Sequence, residues 1–110
     1  EGVIVKYKYQ PPSIVNDKYA PVISDFVLHQ NFPNPFNPTT TISYNLSEPG
    51  QVSLNIYTVL GTQIAALVQD YQSSGNHSVV WNAGIEPSGV YYFQLTVNGK
   101  LTTKKMVLLK

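Results

Sequence analysis

Between residues 42 and 97 the chain keeps returning to one pattern, an apolar side chain at every second position. Ile42, Tyr44 and Leu46 alternate with Ser43 and Asn45, and Val52, Leu54 and Ile56 alternate with Gln51, Ser53 and Asn55. Tyr91, Phe93, Leu95 and Val97 do the same against Tyr92, Gln94 and Thr96. A period of two places successive side chains on opposite faces of an extended backbone, so each run has one face to bury and one to wet. No segment shows helical apolar spacing over the roughly ten to twelve residues that a helix needs. The chain therefore has to solve its folding problem with sheets.

Turn chemistry divides the runs. Glu48-Pro49-Gly50, Ser73-Ser74-Gly75-Asn76 and the loop from Asn82 to Ser88 separate apolar stretches, and Gly61 offers positive φ after Tyr57-Thr58-Val59-Leu60. Asn98-Gly99 is the strongest hairpin signal, because a type I′ turn needs positive φ at both central residues. Three further stretches complete the set. Phe26-Val27-Leu28 is short and apolar; residues 63–68, QIAALV, read as a strand but alternate only weakly and fit a helical turn as well; and His77, Val79 and Trp81 share a face. The last strand runs from about Leu101 to Leu109. Seven closely spaced strands after residue 25 predict an all-β fold, a seven-stranded antiparallel immunoglobulin-like β-sandwich with an N-terminal extension. Its expected core is Ile42, Tyr44, Val52, Leu54, Ile56, Val79, Trp81, Tyr91, Phe93 and Leu95. His77 is expected inside or at the rim of that core.

Ahead of this lies a different kind of chain. Residues 1–9, EGVIVKYKY, alternate like a strand, while residues 10–24 hold three prolines among polar residues without a period. The expected organisation is a linker with the remnant strand of an upstream domain over residues 1–24, and one domain over residues 25–110. A sequence that opens on Glu1 is expected to be part of something longer. An apolar strand separated from its sheet seeks an edge, so residues 1–9 are expected to pack on the sandwich or to mediate strand pairing between copies.

Composition removes several functions. Net charge is +1, the seven basic residues are all Lys, and no Arg is present, which is a poor profile for a nucleic-acid partner. Without cysteine there is no disulfide, zinc–thiolate site or thiol nucleophile. The six carboxylates are scattered and the two histidines, His29 and His77, have no evident partners, so no catalytic residue, metal or cofactor is expected. No apolar run approaches the roughly 20 residues of a membrane-spanning helix. Eight tyrosines leave one alternative open: a carbohydrate-binding or spacer module of a secreted polysaccharide-acting enzyme, with Tyr71 and Tyr92 as exposed rings.

The segment Asn31-Phe32-Pro33-Asn34-Pro35-Phe36-Asn37-Pro38 stands directly before the first long strand. Each proline lacks an N–H and biases its predecessor toward extended backbone. The expectation is an extended, polyproline-like crossing that plugs one end of the sandwich with the rings of Phe32 and Phe36. This stretch, FPNPFNPTTTISYNL, resembles the start of the type A C-terminal sorting domain of the bacterial type IX secretion system. The likeness continues through VSLNIYTVLG, GNHSVVWNAG, SGVYYFQL and the closing TKKMVLLK, about residues 28 to 110.

The resemblance implies an immunoglobulin-like sandwich that directs an upstream cargo domain out of the cell. The partners it implies are the outer-membrane secretion machinery and a sortase-like peptidase that commonly removes the domain. The cargo passes through the periplasm to the cell surface or the medium. Motif by motif, the resemblance marks Pro33, Asn34 and Pro35, then Gly89 and Tyr91, then Lys104, Lys105 and Lys110 as recognition residues. Two loop positions depart from the family, Thr58 and Asn82, where Asp is common. Beside the resemblance stands a plain charge reading. No acidic residue follows Glu86, whereas Lys100, Lys104, Lys105 and Lys110 do, which gives either an edge strand guarded by lysines or a basic docking strip.

Overall fold

Each alternating run becomes a strand in the computed structural model, which describes residues 26–110. The remnant strand, the linker and the self-pairing expected for residues 1–24 lie outside the described residues. In chain order the elements are β1 (Phe26–Leu28), β2 (Thr39–Leu46), β3 (Gly50–Thr58), β4 (Gln63–Gln72), β5 (Gly75–Asn82), β6 (Gly89–Val97) and β7 (Lys100–Leu108). They form a three-stranded sheet in the order β1-β2-β5 and a four-stranded sheet in the order β4-β3-β6-β7, with every strand pair antiparallel. The fold is the expected seven-stranded sandwich.

The inner faces are the apolar phases of the alternation. Ile42, Tyr44 and Leu46 of β2 face Val52, Leu54 and Ile56 of β3 and Phe93, Leu95 and Val97 of β6, and none of these is more than 2 % exposed. Burying one such side chain stabilises the fold by about 1.5–3 kcal/mol. Val79 was expected among them but is only half-buried, packed against the core from β5, which forms the open flank of the smaller sheet. Met106 and Leu108 of β7 complete the core with no exposure at all.

Where the alternation was weak, the ladder is irregular. The β3–β4 register shifts between Leu54 and Asn55 and again between Ile56 and Tyr57, so that Leu67 and Ile64 on β4 have no residue opposite them. Each shift inserts one residue, which breaks the period of two without ending the strand. The Asn98-Gly99 hairpin forms as expected, with φ of 49° and 86° at its two central residues. It is also tied sideways: the Asn98 side-chain oxygen accepts a hydrogen bond from the Gln51 amide at 2.9 Å, while the Asn98 amide donates to the Gln51 carbonyl at 3.0 Å.

The register gives the sandwich two poles. At one, β1 enters opposite the end of β2, Phe26 facing Leu46, beside the turns after β2, β4 and β6. At the other lie the β3–β4 turn, the β5–β6 loop, the proline-rich segment and the end of β7. The described chain therefore begins at the first pole, with Phe26, and the motif-bearing segments gather at the second.

Candidate functional site

The proline-rich segment is not the extended crossing expected of it. The peptide bonds Phe32-Pro33, Asn34-Pro35 and Asn37-Pro38 are cis, and the segment folds into a loop bridging the two sheets. At its start Phe32 exchanges both backbone hydrogen bonds with Thr41 of β2, at 3.0 and 2.9 Å. Further on, the Phe36 amide donates to the Val107 carbonyl and the Leu109 amide donates to the Phe36 carbonyl, both at 3.0 Å. The first of these pairings is with the strand that follows directly, the second with a strand some 70 positions away.

The two phenylalanines part company as a result. Phe36 is buried at 2 % exposure, its ring centroid 5.8 Å from that of Trp81, which in turn lies 5.9 Å from Tyr91. Phe32 is 79 % exposed, against the expectation of two buried rings. The cause is register: Phe32 sits opposite Thr41, whose neighbours Thr40 and Ile42 point inward, so its ring shares the outer face.

The loop is held by groups that the alternation pattern does not reveal. Asn31 and Thr40 are each only 2 % exposed. The Asn31 amide donates to Thr40 Oγ1 at 2.9 Å and to the Pro33 carbonyl at 3.1 Å, and the Thr40 hydroxyl donates to the same carbonyl at 2.9 Å. Buried polar groups carry a large desolvation cost unless partnered, and these satisfy one another. Pro38 adds a further tie, its carbonyl accepting from the Ala83 amide at 2.8 Å.

All three sets of motif residues meet at β7. A two-residue hairpin pairs Val97 with Lys100 first, so Leu101, Thr103, Lys105 and Val107 direct their backbone groups away from β6. Along this outer edge, Gln30 Nε2 donates to the Lys105 carbonyl at 2.7 Å and the Val107 amide donates to Asn34 Oδ1 at 2.9 Å. Phe36 closes the remainder. Gly89 stands opposite Leu108 at the start of β6, at φ of 153°, a conformation that side chains rarely tolerate. Tyr91 lies opposite Met106, buried, with its hydroxyl donating to the Pro87 carbonyl at 2.6 Å. Burial, reinforced by the carboxylate of Glu86, raises the pKa of this phenol.

The marked residues thus divide by placement. Gly89, Tyr91 and the Asn34 side chain are engaged within the domain. Pro33, Pro35, Lys105 and Lys110 are exposed and Lys104 is half-buried. The Lys110 amide donates to Ser88 Oγ at 2.9 Å, bringing the last residues against the β5–β6 loop. Between Leu101 and Lys105 no described strand lies beside β7, so its outer edge is open there and flanked by Lys100, Lys104 and Lys105. The two departures from the family are locally competent: Thr58 Oγ1 accepts from the Thr62 amide at 3.2 Å and Asn82 Oδ1 accepts from the Gly84 amide at 2.8 Å.

The alternative chemistry finds no constellation. Tyr71 pairs with Gln51 and Tyr92 with Tyr57, which puts the two rings near opposite ends of the sheet rather than on one platform. His77 lies at the rim, stacked on Tyr44 with centroids 5.4 Å apart, its Nε2 2.8 Å from the Ser73 carbonyl. Among the described residues, no group of three or more His, Cys, Asp or Glu is placed to hold a metal ion.

Comparison with known proteins agrees with this architecture. No curated protein sequence matches the chain. Among solved structures, it is similar to PorZ, described as an essential bacterial surface component of the type-IX secretion system of Porphyromonas gingivalis. The identity is 21 %, the TM-score 0.55, and the match covers 76 % of this chain and 11 % of PorZ, a likeness of fold. Dimeric latent PorU from the same organism matches at 26 % identity and a TM-score of 0.57, over 86 % of this chain and 10 % of PorU. The chain thus spans about a tenth of the length of either protein. Residues 30–109 match the family model of the secretion system C-terminal sorting domain, a span that takes in the proline-rich loop, the glycine–tyrosine start of β6 and nearly all of the closing strand, and the chain belongs to that family.

Proposed function

We propose that this sorting domain is read through β7. Domains of the family are non-catalytic C-terminal signals for type IX secretion, and they direct export to the cell surface or beyond. What supports β7 as the recognition element is the state of its outer edge. Residues 30–36 occupy its C-terminal half, while Leu101, Thr103 and the Lys105 amide face outward beside three lysines. An open edge accepts an added strand through main-chain hydrogen bonds, and the lysines favour a partner surface of opposite charge. The partner is a component of the outer-membrane secretion machinery, met after transit through the periplasm. A sortase-like peptidase then cuts in the segment 10–24, ahead of the domain in the chain.

The test is an export assay with the whole chain fused behind a periplasm-targeted fluorescent protein in a bacterium with an active type IX system. Deleting the terminal residues is a poor control, because Met106 and Leu108 are core and their loss unfolds the domain. The informative variant is Lys104→Ala with Lys105→Ala, whose stability is expected to stay within about 0.5 kcal/mol of the original. Surface fluorescence for the intact fusion and its loss in the double variant is the expected result. Equal export of the two removes the lysines from the mechanism. Retention of both in the periplasm removes the sorting function for this chain. Cleavage is checked by the size of the released cargo, and a fusion that stays whole on the surface overturns the processing step.

A further inference from the structure

At the pole away from Phe26, two loops stand on either side of a cleft of about 250 Å³ lined by Thr58, Val59, Glu86, Pro87, Val90 and Tyr91, among others. Of its lining, Val59 is 62 % exposed. The loops that carry it also bear Leu60, next to Val59 in the β3–β4 turn and 90 % exposed, and Ile85, next to Glu86 in the β5–β6 loop and 96 % exposed. Isolated exposed aliphatic residues are common, but here they lie on the two loops that flank a concavity, where an apolar partner segment can reach them. Within the cleft stands a single carboxylate, Glu86, half-buried and with no ion pair among the described residues. It is the only acidic side chain after Asp70. It lies near enough to Tyr91 to help raise the pKa of that phenol.

We infer that this cleft is a socket for a lysine or arginine side chain of a protein partner, presented on an apolar segment. An aliphatic stem fits walls made by Val59, Pro87 and Val90, and a cationic head reaches the Glu86 carboxylate. The partner chemistry follows from charge complementarity: the cleft offers one negative group, Glu86, among the apolar side chains of Val59, Pro87 and Val90, the reverse of the basic edge of β7. The cleft and the open half of the β7 edge are different surfaces, and the Lys110 amide is tied to Ser88 of the cleft lining. The inference deepens the sorting reading, since it gives the secretion machinery a second foothold, yet the socket is testable without export.

The direct experiment titrates the whole chain with the tripeptide acetyl-Leu-Arg-Leu-amide while following the backbone amide resonances of Glu86, Gly89 and Val90. A saturable shift at these positions is expected, weakened about two- to fivefold in Glu86→Gln, as for a partly exposed ion pair. Acetyl-Leu-Gln-Leu-amide is expected to bind the original chain as weakly as the arginine peptide binds Glu86→Gln. No shift, or equal shifts with both peptides, overturns the socket. In the export assay the companion variant is Leu60→Ser with Ile85→Ser, both exposed, so folding is expected to persist. Export of the intact fusion together with loss in this variant supports the second foothold. Unchanged export of the variant overturns it and leaves the sorting function standing, whereas failure of the intact fusion sinks the sorting reading and the foothold with it.

Discussion

β4 and β7 are the two outer strands of one four-stranded sheet, yet they handle an exposed edge in different ways. β4 is irregular: two inserted residues, Ile64 and Leu67, break its ladder with β3, and only Val68 is buried. A bulged, twisted edge is a poor template for a new strand. β7 is regular, nine residues in unbroken register with β6. It is protected over its C-terminal half by residues from the proline-rich loop and over the other half only by lysines. A strand that is straight and open over four or five residues remains addressable. The difference teaches that the domain guards one edge by geometry and keeps the other partly available.

The contrast breaks down if the two halves of β7 are energetically alike. Met106→Ala and Leu108→Ala are each expected to lower unfolding free energy by about 2–5 kcal/mol in urea titration, since both side chains are fully buried. Val68→Ala on β4 is expected to cost less, about 2 kcal/mol. Leu101→Ala, in the exposed half of β7, is expected to stay within about 0.5 kcal/mol of the original. A Leu101→Ala loss as large as that of Leu108→Ala would show that the open half is packed after all.

Alkaline titration probes the two flanks through one tyrosine each. Burial raises the pKa of Tyr44, whose hydroxyl donates to Gln72 Oε1 at the end of β4, and the charge of Asp70 adds to the rise. Tyr91, beside Met106 of β7, is raised by burial and by Glu86. A phenol whose folded pKa is raised contributes stability that is complete below its unfolded value, about 10, and is lost as pH rises through the folded value. Urea midpoints are therefore expected to be level from neutrality to about pH 9.5 and to fall above about pH 10. Tyr44→Phe and Tyr91→Phe should each remove part of that fall; a fall unchanged in both would assign it to other groups.

A single hydrogen bond sharpens the comparison most. Asn34→Ala removes the acceptor of the Val107 amide and is expected to cost about 1 kcal/mol. In hydrogen exchange, the Val107 amide should then approach the rate of Thr103, which faces the open edge. If Val107 stays protected, Phe36 and Gln30 are sufficient to close that half, and the asparagine of the motif acts elsewhere.

Much of this was legible in the chain itself. The strict alternation of β2, β3 and β6 determined which side chains go inward, because an extended backbone has only two faces. Asn98-Gly99 determined its hairpin, because few residues accept positive φ in sequence. The weak alternation of residues 63–68 was itself information, the mark of two inserted residues, though it did not say where they lay. No local pattern could separate Phe32 from Phe36: both precede or follow proline in the same loop, and only pairing with Thr41 or with Val107 and Leu109 decides which ring is inside. The same holds for Asn34, whose partner is 73 positions away, and for Glu86, whose loop meets the β3–β4 turn only in the folded sandwich. Periodicity is a property of neighbours along the chain and survives in the sequence; the closure of an edge and the walls of a cleft depend on which distant strands come together, and only the tertiary structure supplies them.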